Sequence, residues 1–238
     1  MSKFLADPFG TLLTLSTWVL PVLVAITLHE ASHGWMAWKL GDDTAKRLGR
    51  VTFNPLRHVD PFGTILLPLL LLLASGGRFT FGYAKPVPVN FARLYNPKRD
   101  MVWVAGAGPG INIILALLSA VLLHGVPLLP EGMGAWVAQT LYSSVLLNVL
   151  LALFNLIPLP PLDGGRIAVG LLPMPAAIRL QRLERVGILI VLGFVFLLPL
   201  IGSEIGVDLD LFRAVLVPVM EWASGLIFRV TGHWDLAG

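Results

Sequence analysis

Long apolar stretches alternate along this chain with short basic, acidic or proline-rich ones. The runs Thr11 to Leu28, Trp103 to Leu123, Trp136 to Ile157 and Val186 to Ile201 each approach the roughly 20 apolar residues that a helix needs to cross a bilayer. Extended to their polar and proline boundaries, and with a further run near the C-terminus, they predict membrane helices over about 10–33, 100–124, 136–157, 186–202 and 211–229. Pro61 to Ala74 is apolar throughout but short, and Pro68 interrupts it, so a re-entrant or interfacial hairpin is expected there rather than a crossing. Arg78 to Asn90 alternates β-forming residues and then turns proline-rich, which predicts a short β-like segment at the membrane surface. The expected fold is an all-α polytopic membrane protein, a single domain over 1–238 with its core at about 10–170 and C-terminal helices at about 186–229.

Composition agrees. The 238 residues are 56% hydrophobic and 13% charged, with mean hydropathy +0.80, whereas about a quarter of a soluble domain is charged. What lies outside the apolar runs is too little for a second core. Ten of the 17 Lys and Arg fall between Lys39 and Arg99 and four between Arg166 and Arg185, while 125–135 and 203–210 hold only acidic charges. The positive-inside rule therefore places 34–99 and 158–185 in the cytoplasm and the two acidic loops opposite, with the five helices alternating in direction. The protein is expected in the cytoplasmic membrane. A net charge of +3 does not signal nucleic acid, because no basic helix interleaved with aromatics is present. Lys3 and the run after it resemble a signal peptide, but without a small-residue cleavage pattern the run is expected to stay as a helix. With no cysteine, disulfides, thiolate metal sites and a cysteine nucleophile are all excluded, so any metal must use histidine and carboxylate.

Candidate chemistry starts at the inner end of the first helix, where His29-Glu30-Ala31-Ser32-His33 forms an H-E-x-x-H pattern. Residues i and i+4 share a helix face, so both imidazoles can grip one metal while Glu30 stands beside them as a base. Ionisable residues adjoining a membrane run are costly and by default functional. Catalytic zinc takes three protein ligands, so a third is required. The candidates are His58, His124, His233 and nine aspartates. Asp163 is favoured because the first and third helices run the same way, bringing it to the depth of the histidines. Prolines 158, 160 and 161 stop the third helix, and Gly164 and Gly165 are expected to permit a sharp turn. Alone, Asp163 also reads as an N-cap for the following helix.

On these motifs the chain resembles the site-2 proteases, intramembrane zinc metalloproteases of peptidase family M50, in their compact branch without a PDZ domain. The resemblance rests on His29-Glu30-x-x-His33 and Leu162-Asp163-Gly164 and covers about 20–170. It includes Gly49 to Pro61, Gly82 to Asn90 and the Gly106-Ala-Gly108-Pro109-Gly-Ile-Asn112 stretch. It implies one Zn2+ per chain on His29, His33 and Asp163, Glu30 as general base, an active site near the cytoplasmic face, and transmembrane segments of other proteins as substrates. Where PDZ-bearing relatives insert that domain, only about Gly125 to Ala135 is present.

Other positions carry weaker expectations. Asn112 reads first as interhelical packing, with a site role as the alternative. Asn155 is a candidate to hold substrate backbone, and His58 either approaches the metal or occupies a polar loop. Gly82, Tyr83 and Lys85 lie where a strand edge would accept an unwound substrate by β-augmentation; a plain proline-rich loop is the alternative. Expected partners are the lipid bilayer and membrane-protein substrates, with no nucleic acid, and a homo-oligomer is compatible with the sequence. The competing function is a zinc-binding membrane scaffold that does not cut. The intact Glu30 argues against it, since ligation alone does not need that carboxylate.

Overall fold

The computed structural model describes residues 8–74 and 82–237. They are predominantly helical, with no β-strand among them. Helix α1 spans Pro8–Lys39, the short α2 Thr44–Arg47, and α3 Leu67–Ala74; α4 spans Pro97–Leu122 and α5 Glu131–Asn155. Beyond them, α6 is Asp163–Leu171, α7 Met174–Arg182, α8 Gly187–Leu192, α9 Leu198–Ile205 and α10 Leu211–Val230. Among the described residues five helical stretches are long and apolar enough to cross a membrane: Leu12–Lys39, Pro97–Leu128, Glu131–Asn155, Gly187–Ile205 and Leu211–Val230. The chain is a multi-pass membrane protein. Lys39 closes α1 with its ammonium over the rings of Trp35 and Trp38, the amphipathic pairing that suits a membrane boundary.

Three helices form the centre. α4 packs on both α1 and α5, and α1 on α5, through small buried residues such as Ala105, Gly108, Ala116 and Ala120 that let the backbones approach. Polar contacts fix the directions. Trp136 Nε1 donates to Ser16 Oγ at 2.8 Å, so α1 and α5 start at the same end. His29 meets Asn112 and His33 meets the Val104 carbonyl, so α4 runs against α1. The end carrying His33, Pro97 and Asn155 is called the histidine end below. There Gly170 of α6 lies against Lys98 and Val102 of α4 and, lacking a Cβ, lets α6 sit close; this seats Asp163 over the centre.

The last helix corrects an expectation. Phe212 packs edge-on against Phe154, with ring centroids 5.9 Å apart, and Phe228 stacks on Tyr142 at 5.6 Å. His233 Nε2 reaches the Ala120 carbonyl, and His124 Nε2 reaches the Thr231 carbonyl in return. α10 therefore runs against α5 and parallel to α4, the reverse of the alternation predicted from charge and parity. The reason lies in the hairpin before it: Gly187 sits against the Pro160 carbonyl, and Leu209 folds back onto Gly202. Leu211 then starts beside Phe154, so Gly187–Ile205 and its return turn start and finish at the histidine end. Hydropathy reports that a segment is long and apolar, not that it delivers the chain to the other side.

Pro61–Leu66, a π-helical stretch, continues into α3. The two together are too short to span, and the chain comes back: Tyr83 N–H donates to the Gly63 carbonyl at 3.0 Å, and Gly82 lies against Pro68. The two ends of the expected hairpin are thus in contact, while its turn, 75–81, lies outside the described residues. Of the predicted β-like segment, 78–81 lies outside the described residues. From Gly82 to Asn90 the chain is extended but joins no ladder.

Candidate metal centre

His29 and His33 project from one face of α1 toward α4, and Asp163 opens α6 directly opposite. The three facing atoms form a tight triangle. His29 Nε2 lies 3.1 Å from His33 Nε2, and Asp163 Oδ2 lies 3.2 and 3.3 Å from the two nitrogens. Each imidazole is held by its other nitrogen. Nδ1 of His33 meets the Val104 carbonyl at 2.7 Å and Nδ1 of His29 meets Asn112 Oδ1 at 2.6 Å. Both partners only accept, so both Nδ1 atoms carry a proton, and each Nε2 is the atom whose lone pair a metal would take. Asp163 Oδ2 is buried and makes no hydrogen bond. Burial opposes ionisation of Asp163, but in the absence of a metal the Nε2–H groups of protonated imidazoles outweigh it and hold the carboxyl below the usual carboxylate range. Three lone pairs so arranged call for a cation at their centre. Ligand atoms of a four-coordinate zinc with bonds of about 2.0–2.2 Å stand roughly 3.3–3.5 Å apart, close to the spacing found. The donor set fits, and these residues are the group that could hold a metal among those described.

Glycines make the fit. A Cβ at Gly108 would lie 2.5 Å from both His29 Cε1 and His33 Nε2, so α4 reaches the imidazoles only as glycine. Gly164 and Gly165 also differ from expectation. Neither has a positive φ; a Cβ on either would strike the Leu156 carbonyl or the Pro160 nitrogen. They are needed for space beneath α6, not for a turn. Asp163 is the first residue of α6, behind Leu162 as N-cap, and caps nothing. Its carboxylate is free for the histidines.

Glu30 points elsewhere: its Oε2 accepts the Val87 N–H at 2.7 Å. This ties α1 to the extended Gly82–Asn90 segment, which is further held by Lys85 N–H on the His58 carbonyl, the Arg50 guanidinium on the Lys85 carbonyl, and Asn90 N–H on the buried carboxylate of Asp42. Tyr83 and Lys85 are exposed on it. His58 is buried in the loop below, with Nε2 at the Thr52 carbonyl, and is outside the metal group. Asn155 bonds back to the Leu151 carbonyl of its own helix. Asn112 is fully buried against His29, a contact that packing alone does not describe. Missed from the sequence were Asn148, which bonds Asn112 at 2.8 Å, and the Val87 amide. An Asn amid the leucines in the body of α5 was a readable signal for the first; nothing signalled the second.

Comparison with known proteins bears on this geometry. The profile of "Peptidase family M50" matches residues 130–200. "Putative zinc metalloprotease YwhC" of Bacillus subtilis (strain 168) is 37% identical over 232 residues, covering 92% of this chain and all of that protein. The chain belongs to peptidase family M50. Within this metallopeptidase family it is also similar to "Putative zinc metalloprotease Rip2" of Mycobacterium tuberculosis (strain ATCC 25618 / H37Rv), at 34% identity over 60% of the chain and 52% of Rip2. Rip2 of Mycolicibacterium smegmatis is 30% identical over a similar extent. No solved structure matches. The H-E-x-x-H at His29–His33 lies on the helix face where the structure gathers the metal group.

Proposed function

We propose that this M50 protein is an intramembrane zinc metalloprotease that hydrolyses peptide bonds in or near transmembrane segments of other membrane proteins. The observation that carries the reading is the convergence of His29 Nε2, His33 Nε2 and Asp163 Oδ2. Zinc on these ligands supplies a Lewis acid for the scissile carbonyl. Glu30 takes a proton from the attacking water and returns it to the leaving amine nitrogen as the C–N bond breaks. The Val87 N–H occupies Oε2, so the other carboxylate oxygen is the one free for that proton.

A membrane helix hides its amides in its own hydrogen bonds, so a substrate must be unwound before cleavage. Gly82–Asn90, exposed and tied to the catalytic carboxylate, is where an extended substrate would lie. The sequence between Lys39 and Arg99, which joins the histidine ends of α1 and α4, holds ten of the 17 Lys and Arg, and the positive-inside rule supports the cytoplasmic face of the cell membrane for that end. The test is cleavage of single-span membrane peptides by the purified protein in detergent, with bound zinc counted. Wild type is expected to cut, and Glu30→Gln to keep its zinc and lose turnover. Full turnover by Glu30→Gln would overturn the role of Glu30, whereas zinc without cleavage of any peptide would favour a scaffold.

A further inference from the structure

Two buried asparagines of the bundle, Asn148 and Asn112, form one directed chain that ends on a histidine of the metal group. It starts at a backbone carbonyl, which cannot reverse its polarity. The Ser144 carbonyl accepts from Asn148 Nδ2 at 2.9 Å, and Ser144 Oγ lies 3.2 Å from the same nitrogen. With its NH2 so anchored, Asn148 must turn Oδ1 toward α4, where it accepts from Asn112 Nδ2 at 2.8 Å. Asn112 in turn has only its oxygen left for His29, and Oδ1 meets Nδ1 at 2.6 Å. That oxygen obliges Nδ1 to carry the ring proton, and Nε2 is left bare toward His33 and Asp163.

The two histidines differ here. His33 is set by the Val104 carbonyl, a peptide group fixed in its helix. His29 is set by an amide, and an amide reversed by 180° would offer NH2 instead, selecting the opposite tautomer with a proton on Nε2, where no metal can bind. Asn112 and Asn148 are both fully buried, so water is not at hand to correct the choice. We propose that Asn148 is a positioning residue for the metal centre: by fixing which end of the Asn112 amide faces His29, it holds that imidazole in its metal-binding tautomer. The inference rests on His29, His33 and Asp163 being the zinc ligands.

If Asn148 merely joined two helices, either orientation of the Asn112 amide would serve. The tautomer reading makes a sharper demand, because an aspartate at 112 has oxygen at both ends and cannot present the wrong one. The experiment is zinc affinity, measured by chelator competition in detergent, for wild type, Asn148→Ala, Asn112→Asp and the double variant. Loss of an outer hydrogen-bond partner typically weakens metal binding about 10- to 100-fold, and that loss is expected for Asn148→Ala. On the Asn112→Asp background, where Asn148 Oδ1 would face a carboxylate oxygen, removing Asn148 is expected to cost no zinc affinity, a non-additive cycle. Asn148→Leu, which fills the space without an acceptor, repeats the test should the alanine variant fold poorly. Wild-type affinity in Asn148→Ala, or an undiminished loss on the Asn112→Asp background, would overturn the relay while leaving the metal site standing. A wild-type protein that binds no zinc would overturn the ligand assignment itself.

Discussion

Val87 donates its N–H to Oε2 of Glu30 at 2.7 Å, and it holds the only amide hydrogen between Lys85 and Val89, because residues 86 and 88 are both proline. Residues preceding proline are pushed toward extended backbone, so Lys85 and Val87 are both biased to the conformation that aims this donor. Replacing Val87 with proline removes the donor in a segment already suited to it. Hydrogen bonds to charged groups contribute about 1.5–3 kcal/mol, so Val87→Pro is expected to lower kcat roughly 10- to 100-fold with zinc content unchanged. Val87→Ala keeps the N–H and should stay near wild type. Equal loss in both variants, measured by steady-state peptide cleavage, would show that the side chain matters rather than the amide.

Gly108 offers a prediction with internal controls. Its absent Cβ is the space that the two imidazoles occupy, while a Cβ at Gly106 or Gly110 would meet nothing within 4 Å. Gly108→Ala is expected to push the histidines out of register and lower zinc affinity by about two orders of magnitude, near the upper range for disturbed ligand orientation. Gly106→Ala and Gly110→Ala should keep full zinc stoichiometry. Metal analysis of the three purified variants decides the matter.

Zinc removal should be visible in stability. A ligand present at about 1,000 times its Kd stabilises by roughly 4 kcal/mol, which for a chain of this size corresponds to a Tm shift on the order of 10 °C. A chelator is expected to lower the wild-type Tm by that amount and to leave Asp163→Asn unmoved. The sign with pH follows from Asp163, whose carboxyl is held below its ordinary range. A group with a depressed folded pKa keeps its contribution above the unfolded value of about 3.9 and loses it only as pH falls below that. Zinc released in mild acid, above that value, would therefore not report protonation of Asp163. An Asp163→Asn protein with the same chelator-induced shift would remove Asp163 from the ligand set.

The direction of α10 can be read by labelling. The chain has no cysteine, so single cysteines report without background. Leu128 and Trp234 are both strongly exposed near the end where His124 stacks on His233, and Leu56 is exposed at the histidine end. In oriented vesicles, Leu128→Cys and Trp234→Cys are expected to react with an impermeant maleimide from one side and Leu56→Cys from the other. Trp234→Cys reacting together with Leu56→Cys would restore the alternation that charge and parity predict.

Much of the centre was legible because its chemistry is local. The i, i+4 spacing of His29 and His33 fixes a shared face without knowledge of the fold, and Asp163 could be chosen because two helices of known direction bring it near. What escaped depends on distance between segments. The Val87 amide and Glu30 are 57 residues apart, and no side-chain pattern announces a backbone donor. Gly164 and Gly165 were read as freedom of φ, when what they supply is the absence of a Cβ under α6. The direction of α10 escaped because parity assumes that each apolar run crosses once, whereas Gly187–Ile205 and its return turn bring the chain back to where they began.

The two prolines beside Val87 also decide what this protein will not do. An extended segment near a membrane surface ordinarily offers a free edge on which a second copy can pair, and such edges seed aggregation. Along Gly82–Asn90 the amides of Tyr83, Lys85 and Val87 are spent inward on Gly63, His58 and Glu30. On the other side Pro86 and Pro88 have carbonyls but no N–H. Two such edges meeting at Pro86 and Pro88 would set acceptor against acceptor, so that stretch disfavours pairing with its own kind and favours a chain that brings its own donors.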